Sequence, residues 1–128
     1  MTATAETVIL TEAAASAAAD KLARDIVAFD VSEQLAIADV FLLCSAANER
    51  QVQAVVDAVE ERLRECGAKP VRREGERDAR WVLLDYLDLV VHVQQEDERA
   101  FYSLERLWKD CPVVPLVVER VDGAEVSS

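Results

Sequence analysis

Asp39, Asp85, Asp88 and His92 are the residues of this chain whose types could do chemistry. Carboxylates gathered in one place can hold Mg²⁺ and align a phosphoryl group, and a histidine beside them can move a proton. Spacing decides whether they gather. Strand side chains alternate, so ligands sharing a face follow an Asp-x-Asp pattern, whereas Asp85 and Asp88 stand three apart. With Tyr86-Leu87 between them, the pair reads as flanking a hairpin turn and accepting backbone hydrogen bonds there. Glycine occurs at 67, 75 and 123, never clustered, so no phosphate loop or dinucleotide fingerprint can be written. No serine has a nucleophile-elbow context, and one histidine cannot build a multi-histidine metal site. The expectation is a protein without catalytic residues, metal or cofactor. The competing reading is a nucleotidyltransferase-like enzyme using Asp39, Asp85 or Asp88 with Mg²⁺.

The segment from Trp81 to Val93 remains unusual, because acids and a histidine interrupt an apolar sheet signal. Alternation places Asp88, Val90, His92 and Gln94 on one face, and Trp81, Leu83 and Asp85 together opposite Val82 and Leu84. Such a polar patch beside a tryptophan suits contact with a partner better than chemistry. A hydrogen-bonded sheet histidine and a Trp81 that caps the core are the plainer alternatives.

Composition narrows the partner. Fourteen Lys and Arg against 25 Asp and Glu give a net charge of −11, which opposes a direct hold on nucleic acid and favours basic protein surfaces. Cys44, Cys66 and Cys111 are odd in number and lack Cys-x-x-Cys spacing, which fits reduced thiols, with Cys44 buried in an apolar run. No cationic leader or membrane-length apolar run is present, so the expectation is a cytoplasmic protein without a membrane.

These residues need elements to position them. Alanine-rich residues 7–23 predict a helix, 25–31 and 37–44 an antiparallel strand pair, and Asn48 a cap for a helix striped by Val52, Val55, Val56, Val59 and Leu63. Gly67 ends that helix. Short strands are expected near 70–73, 81–85 and 88–94. Asp97 should cap a last helix with Phe101, Leu104, Leu107 and Trp108 inward and Glu98, Arg99, Glu105 and Arg106 outward. Pro112 stops it, 113–121 returns as an edge strand, and 122–128 frays. The order α-β-β-α-β-β-β-α gives one α+β domain over 1–121, a mixed sheet flanked by helices.

Taken together, the chain from about 8 to 114 resembles the ribosomal silencing factor family, also called Iojap-like proteins. The resemblance is carried by Asp25 to Val31, Ile37 to Phe41, Asn48 to Val52, Glu74-Gly75, Trp81 to Tyr86, Asp88 to Val93, and Arg99, Tyr102, Leu104, Glu105, Leu107 and Trp108. It implies a nucleotidyltransferase-like fold without the activity: Ser45-Ala46-Ala47 stands where a transferase carries Gly-Ser. It further implies a translation repressor that binds the large ribosomal subunit at a protein on its intersubunit face and blocks the small subunit. Glu74, Trp81, Asp85, Tyr86, Asp88 and His92 would contribute to docking on that basic ribosomal protein, with Trp81 as apolar anchor. Tyr102 and Trp108 would serve core or dimer packing, since several relatives form homodimers. The family pattern has glycine where this chain has Leu87, and a leucine held at positive φ would cost on the order of 1–2 kcal/mol.

Overall fold

Helix α1 (Ala5–Asp20) opens the fold in a computed structural model that describes residues 3–75, 77–102, 104–119 and 125–127. Thr4 caps it, its hydroxyl accepting from the Thr7 N–H at 3.2 Å. Ala14, Ala15, Ala17, Ala18 and Ala19 are buried, and their small side chains let the helix backbone lie close to its neighbours. Helix α2 (Glu49–Glu65) packs beside it and buries the whole predicted valine and leucine stripe. Each of those side chains contributes about 1.5–3 kcal/mol by leaving water. Asn48 Oδ1 accepts from the Gln51 N–H at 2.9 Å, while Gln51 reaches back to the Ala47 N–H and across to the carbonyls of Lys21 and Leu22. At the other end Gly67 takes φ 87, and bonds from Ala68 N–H to Leu63 O and Gly67 N–H to Arg64 O close a Schellman motif.

The sheet comprises β1 (Arg24–Asp30), β2 (Val40–Ala46), β3 (Arg72–Glu74), β4 (Trp81–Asp85) and β5 (Leu89–Gln95), in the order β1-β2-β5-β4-β3. β2 and β5 run parallel and every other pair antiparallel, so this is the expected mixed sheet of an α+β protein. β2 begins at Val40 rather than at Ile37. The reason is local: Val31 N–H bonds to Asp39 O, which closes residues 32–38 into a loop and leaves Ile37 outside the sheet.

The last helix also differs from expectation. Its described residues are helical over α3 (Glu96–Tyr102) and α4 (Leu104–Leu107), on either side of residue 103, which lies outside the described residues, and two of its side chains face the other way from the expected wheel. Leu107 is 71% exposed, and Arg99, expected in water, is 7% exposed, donating to the Asp25 main-chain oxygen and to Glu105. Asp25 sits at φ 51 beside a register shift in β1, and this irregular carbonyl needs a donor that only a side chain supplies. Asp97 lies within the first turn and accepts from the Glu98 N–H, so it is not the residue before the helix. Trp108 packs edge-on to Phe41, with ring centroids 5.3 Å apart; the side chains of Phe101, Tyr102 and Leu104 lie outside the described residues.

Of the expected edge strand, Val113 bridges Phe29 and β6 (Val117–Glu119) follows Pro115. Asp30 N–H to Pro112 O and Val114 N–H to Ala28 O cover the outer edge of β1. Within the expected tail, residues 122–124 and 128 lie outside the described residues, and β7 (Glu125–Ser127) pairs with β6.

The register sorts the two sheet faces. Ala28, Leu42, Val91 and Leu84 form one row, Cys44, Val93 and Val82 another, and all lie buried in the core shared with α1 and α2. Burial pushes the Cys44 thiol up to about 12, so it packs as an inert apolar group.

Candidate docking surface

Asp85 ends β4, and the hairpin that follows is unusually tight. Tyr86 N–H bonds to Leu89 O at 2.8 Å and Asp88 N–H to Tyr86 O at 3.0 Å, a γ-turn centred on Leu87. Leu87 takes φ 73 there, so the positive φ that a glycine would accept freely is held by a leucine. Asp85 Oδ1 accepts the Leu87 N–H at 2.8 Å, the structural role expected of it, and Oδ2 faces Arg72 at 3.4 Å. Asp88 contributes differently: its main-chain oxygen accepts the N–H groups of Asp39 and Val40, locking the hairpin to β2, while its side chain is exposed. Gly75 is compelled by a close approach, because a Cβ there would lie 1.9 Å from the Trp81 carbonyl oxygen.

The sheet face away from α1 and α2 carries mixed rows. One runs Glu74, Leu83, His92, Leu43, Val27; a second Arg72, Asp85, Val90, Phe41, Phe29; a third Trp81, Gln94, Ser45, Arg24. Phe29, Val31, Ala38, Leu43 and Cys111 form a small core at its β1–β2 end. Toward β4 the covering stops, leaving an apolar cleft of about 400 Å³ lined by Leu35, Ile37, Phe41, Leu83, Leu87 and Val90, with Ala38, Arg72, Asp85 and His92. Ile37 is 82% exposed and Leu87 59% exposed at its rim.

His92 is 5% exposed. Its Nδ1 accepts the Trp81 indole N–H at 3.1 Å, and its ring meets that of Phe41 at 5.0 Å. Burial drives its pKa down to about 4, so the ring is neutral near pH 7.

Of the residues expected to dock, Glu74, Trp81, Asp85 and His92 share this face and Asp88 stands at its turn. Tyr86 does not join them. It lies in the core on the opposite side, 8% exposed, where burial, with Glu60 nearby, pushes its hydroxyl up to about 12. Strand alternation continued one residue past β4 puts Tyr86 on the face of Val82 and Leu84, opposite Asp85. Sequence reasoning missed the apolar lining. Leu83 and Val90 were legible from their alternation with His92, but Ile37 and Leu35 reach the cleft only through the loop before β2. Trp81 is partly buried against His92, and the exposed apolar groups are Ile37 and Leu87.

Among the described residues, no group of three or more His, Cys, Asp and Glu side chains is placed to hold a metal. Asp39 Oδ2 faces Thr4 N–H and the Thr7 hydroxyl, and Asp85 holds its turn, so both carboxylates have structural partners. No helix of the described residues is long and apolar enough to cross a membrane.

A sequence profile described as "Ribosomal silencing factor during starvation" matches residues 2–127. The chain is 44% identical over 103 residues to the ribosomal silencing factor of Bacillus subtilis (strain 168), spanning 80% of this chain and 87% of that one. A Mus musculus protein named "Mitochondrial assembly of ribosomal large subunit protein 1" is 29% identical over 89 residues, 67% of this chain and 39% of its own length. A crystal structure of a Chromobacterium violaceum protein matches with a TM-score of 0.77 at 32% identity, covering 79% of this chain and 84% of that one. Matched from end to end in sequence, and in fold by a solved structure, the chain belongs to the ribosomal silencing factor family.

Proposed function

We propose that this protein docks on the large ribosomal subunit through the β4–β5 face, against a basic protein of the intersubunit surface, and excludes the small subunit by occupying that ground. The observation that carries this reading is the cleft itself: exposed Ile37 and Leu87 around an apolar hollow, with Asp85 in its lining and Asp88 and Glu74 exposed nearby. Three acids against Arg72, the single cation among the described lining residues, which lies 3.4 Å from Asp85 and 3.5 Å from Glu74, leave the rim net negative, and an apolar centre inside such a rim is the complement of a basic protein surface with an apolar residue at its middle. The large subunit as target is supported by the printed name of the mouse relative, and silencing by the family's description. Net charge of −11 steers the protein toward basic ribosomal proteins and away from bare RNA. In this reading it acts by occupancy and turns over no substrate.

Cosedimentation with purified subunits tests it. The protein should travel with large and not small subunits, and bound large subunits should fail to form whole ribosomes when small subunits are added. Equal recovery with both subunits, or unimpaired joining by saturated large subunits, would overturn the proposal. Sedimentation of the protein alone in the same run reports whether it self-associates.

A further inference from the structure

A neutral imidazole has one donor and one acceptor, and a bond made at one nitrogen decides which is which. Trp81 donates to Nδ1 of His92 at 3.1 Å, so the ring proton sits on Nε2. That Nε2–H is buried and has no hydrogen-bond partner among the described residues. Buried donors are nearly always satisfied, and one left open costs about 1–3 kcal/mol. The Gln94 amide and the Trp108 indole N–H, from the same side of the sheet, are also unpartnered, but of the three only His92 belongs to the cleft lining.

We infer that His92 is the specificity-determining donor of the docking cleft: its Nε2–H receives an oxygen acceptor, most simply a main-chain carbonyl, beside an apolar side chain inserted from a basic protein partner. A hollow of about 400 Å³ admits a side chain with its flanking main chain. Nε2 is closed off from solvent in the free protein, so the acceptor reaches it only as side chains of the cleft shift on docking. Recognition of this kind discriminates sharply, because a partner segment offering no acceptor leaves the donor buried and unpaired in the complex. The assignment rests on the docking proposal for the same face and deepens it.

The test compares His92→Phe and His92→Gln with the unaltered protein, reading affinity for isolated large subunits and melting of the free protein. Phenylalanine keeps a ring against Phe41 and removes the donor. H92F should bind roughly tenfold more weakly; in melting, removal of the unpaired donor and loss of the Trp81 acceptor oppose each other, so the midpoint should stay near that of the parent. H92Q, which keeps an amide donor and an acceptor for Trp81, should regain part of the affinity. Wild-type affinity in H92F overturns the inference, as does lowered melting with H92Q no better than H92F, which marks a structural role. A parent protein that binds neither subunit removes the docking proposal and this inference together, whereas tight parental binding unaffected by H92F removes the inference alone.

Discussion

The two faces of the sheet are built from the same strands and solve opposite problems. Beneath α1 and α2, Leu42, Leu84, Val91 and Val93 have no exposed surface, and Val52, Val55 and Val56 close over them. On the other face apolar and polar residues alternate across the rows, the cover ends short of β4, and Ile37 and Leu87 stand in solvent. Close packing is what stabilises a fold, and incomplete packing is what leaves surface for a partner. The contrast teaches that stability and recognition are separated here by the thickness of one sheet.

Substitutions should therefore split by face. The largest effect is expected for Leu84→Ala under the helices, a loss of about 2–5 kcal/mol in denaturant unfolding, with unaltered subunit affinity in the molecules that remain folded. A comparable loss of docking affinity from L84A at temperatures where it is folded would erase the distinction.

Next comes acid. His92 titrates near 4 when folded and about 6.5 when unfolded, so the unfolded chain takes up the proton first. Its contribution is whole above pH 6.5 and declines as pH falls toward 4; between pH 6.5 and 5 about 2 kcal/mol should go. Because the chain has one histidine, urea midpoints across that window report on it almost alone, and H92F should flatten the curve. A pH-independent midpoint in the parent would show that the open face does not shield this ring.

Leu87→Gly should move stability and docking in opposite directions. Relief at φ 73 raises stability by about 1 kcal/mol, while the cleft loses an exposed apolar group and subunit affinity falls severalfold. Tighter docking by L87G would mean that the leucine is tolerated rather than used. The smallest effect belongs to Asp85→Asn with Asp88→Asn, a few-fold weaker docking with a shallower salt dependence, since partly exposed charge pairs are screened. An unchanged salt slope takes these acids out of the contact.

Much of the hairpin was legible before any coordinates. Asp85 and Asp88 read as turn flanks from their spacing, and the Asn48 cap, the α2 stripe and the Gly67 terminus follow from local rules that tertiary context did not override. The last helix was misread at two positions, because a wheel ranks side chains by polarity alone: Leu107 faces outward, and Arg99 is drawn inward by the Asp25 main-chain oxygen, a partner far away in the chain. Tyr86 was assigned to docking because it sits among docking candidates in sequence, yet the alternation of β4 carries it with Val82 and Leu84 into the core on the far face.

By itself, then, the sequence determined the elements, the alternation that divides β4 and β5 into two faces, and the absence of glycine clusters for holding phosphate, because these depend on neighbours along the chain. Tertiary structure alone decided the parallel pairing of β2 with β5, the arrival of Leu35 and Ile37 beside Leu83, and the single bond from Trp81 that leaves His92 with an open donor. Those features join residues far apart in the chain, and only strand order and register bring them within reach.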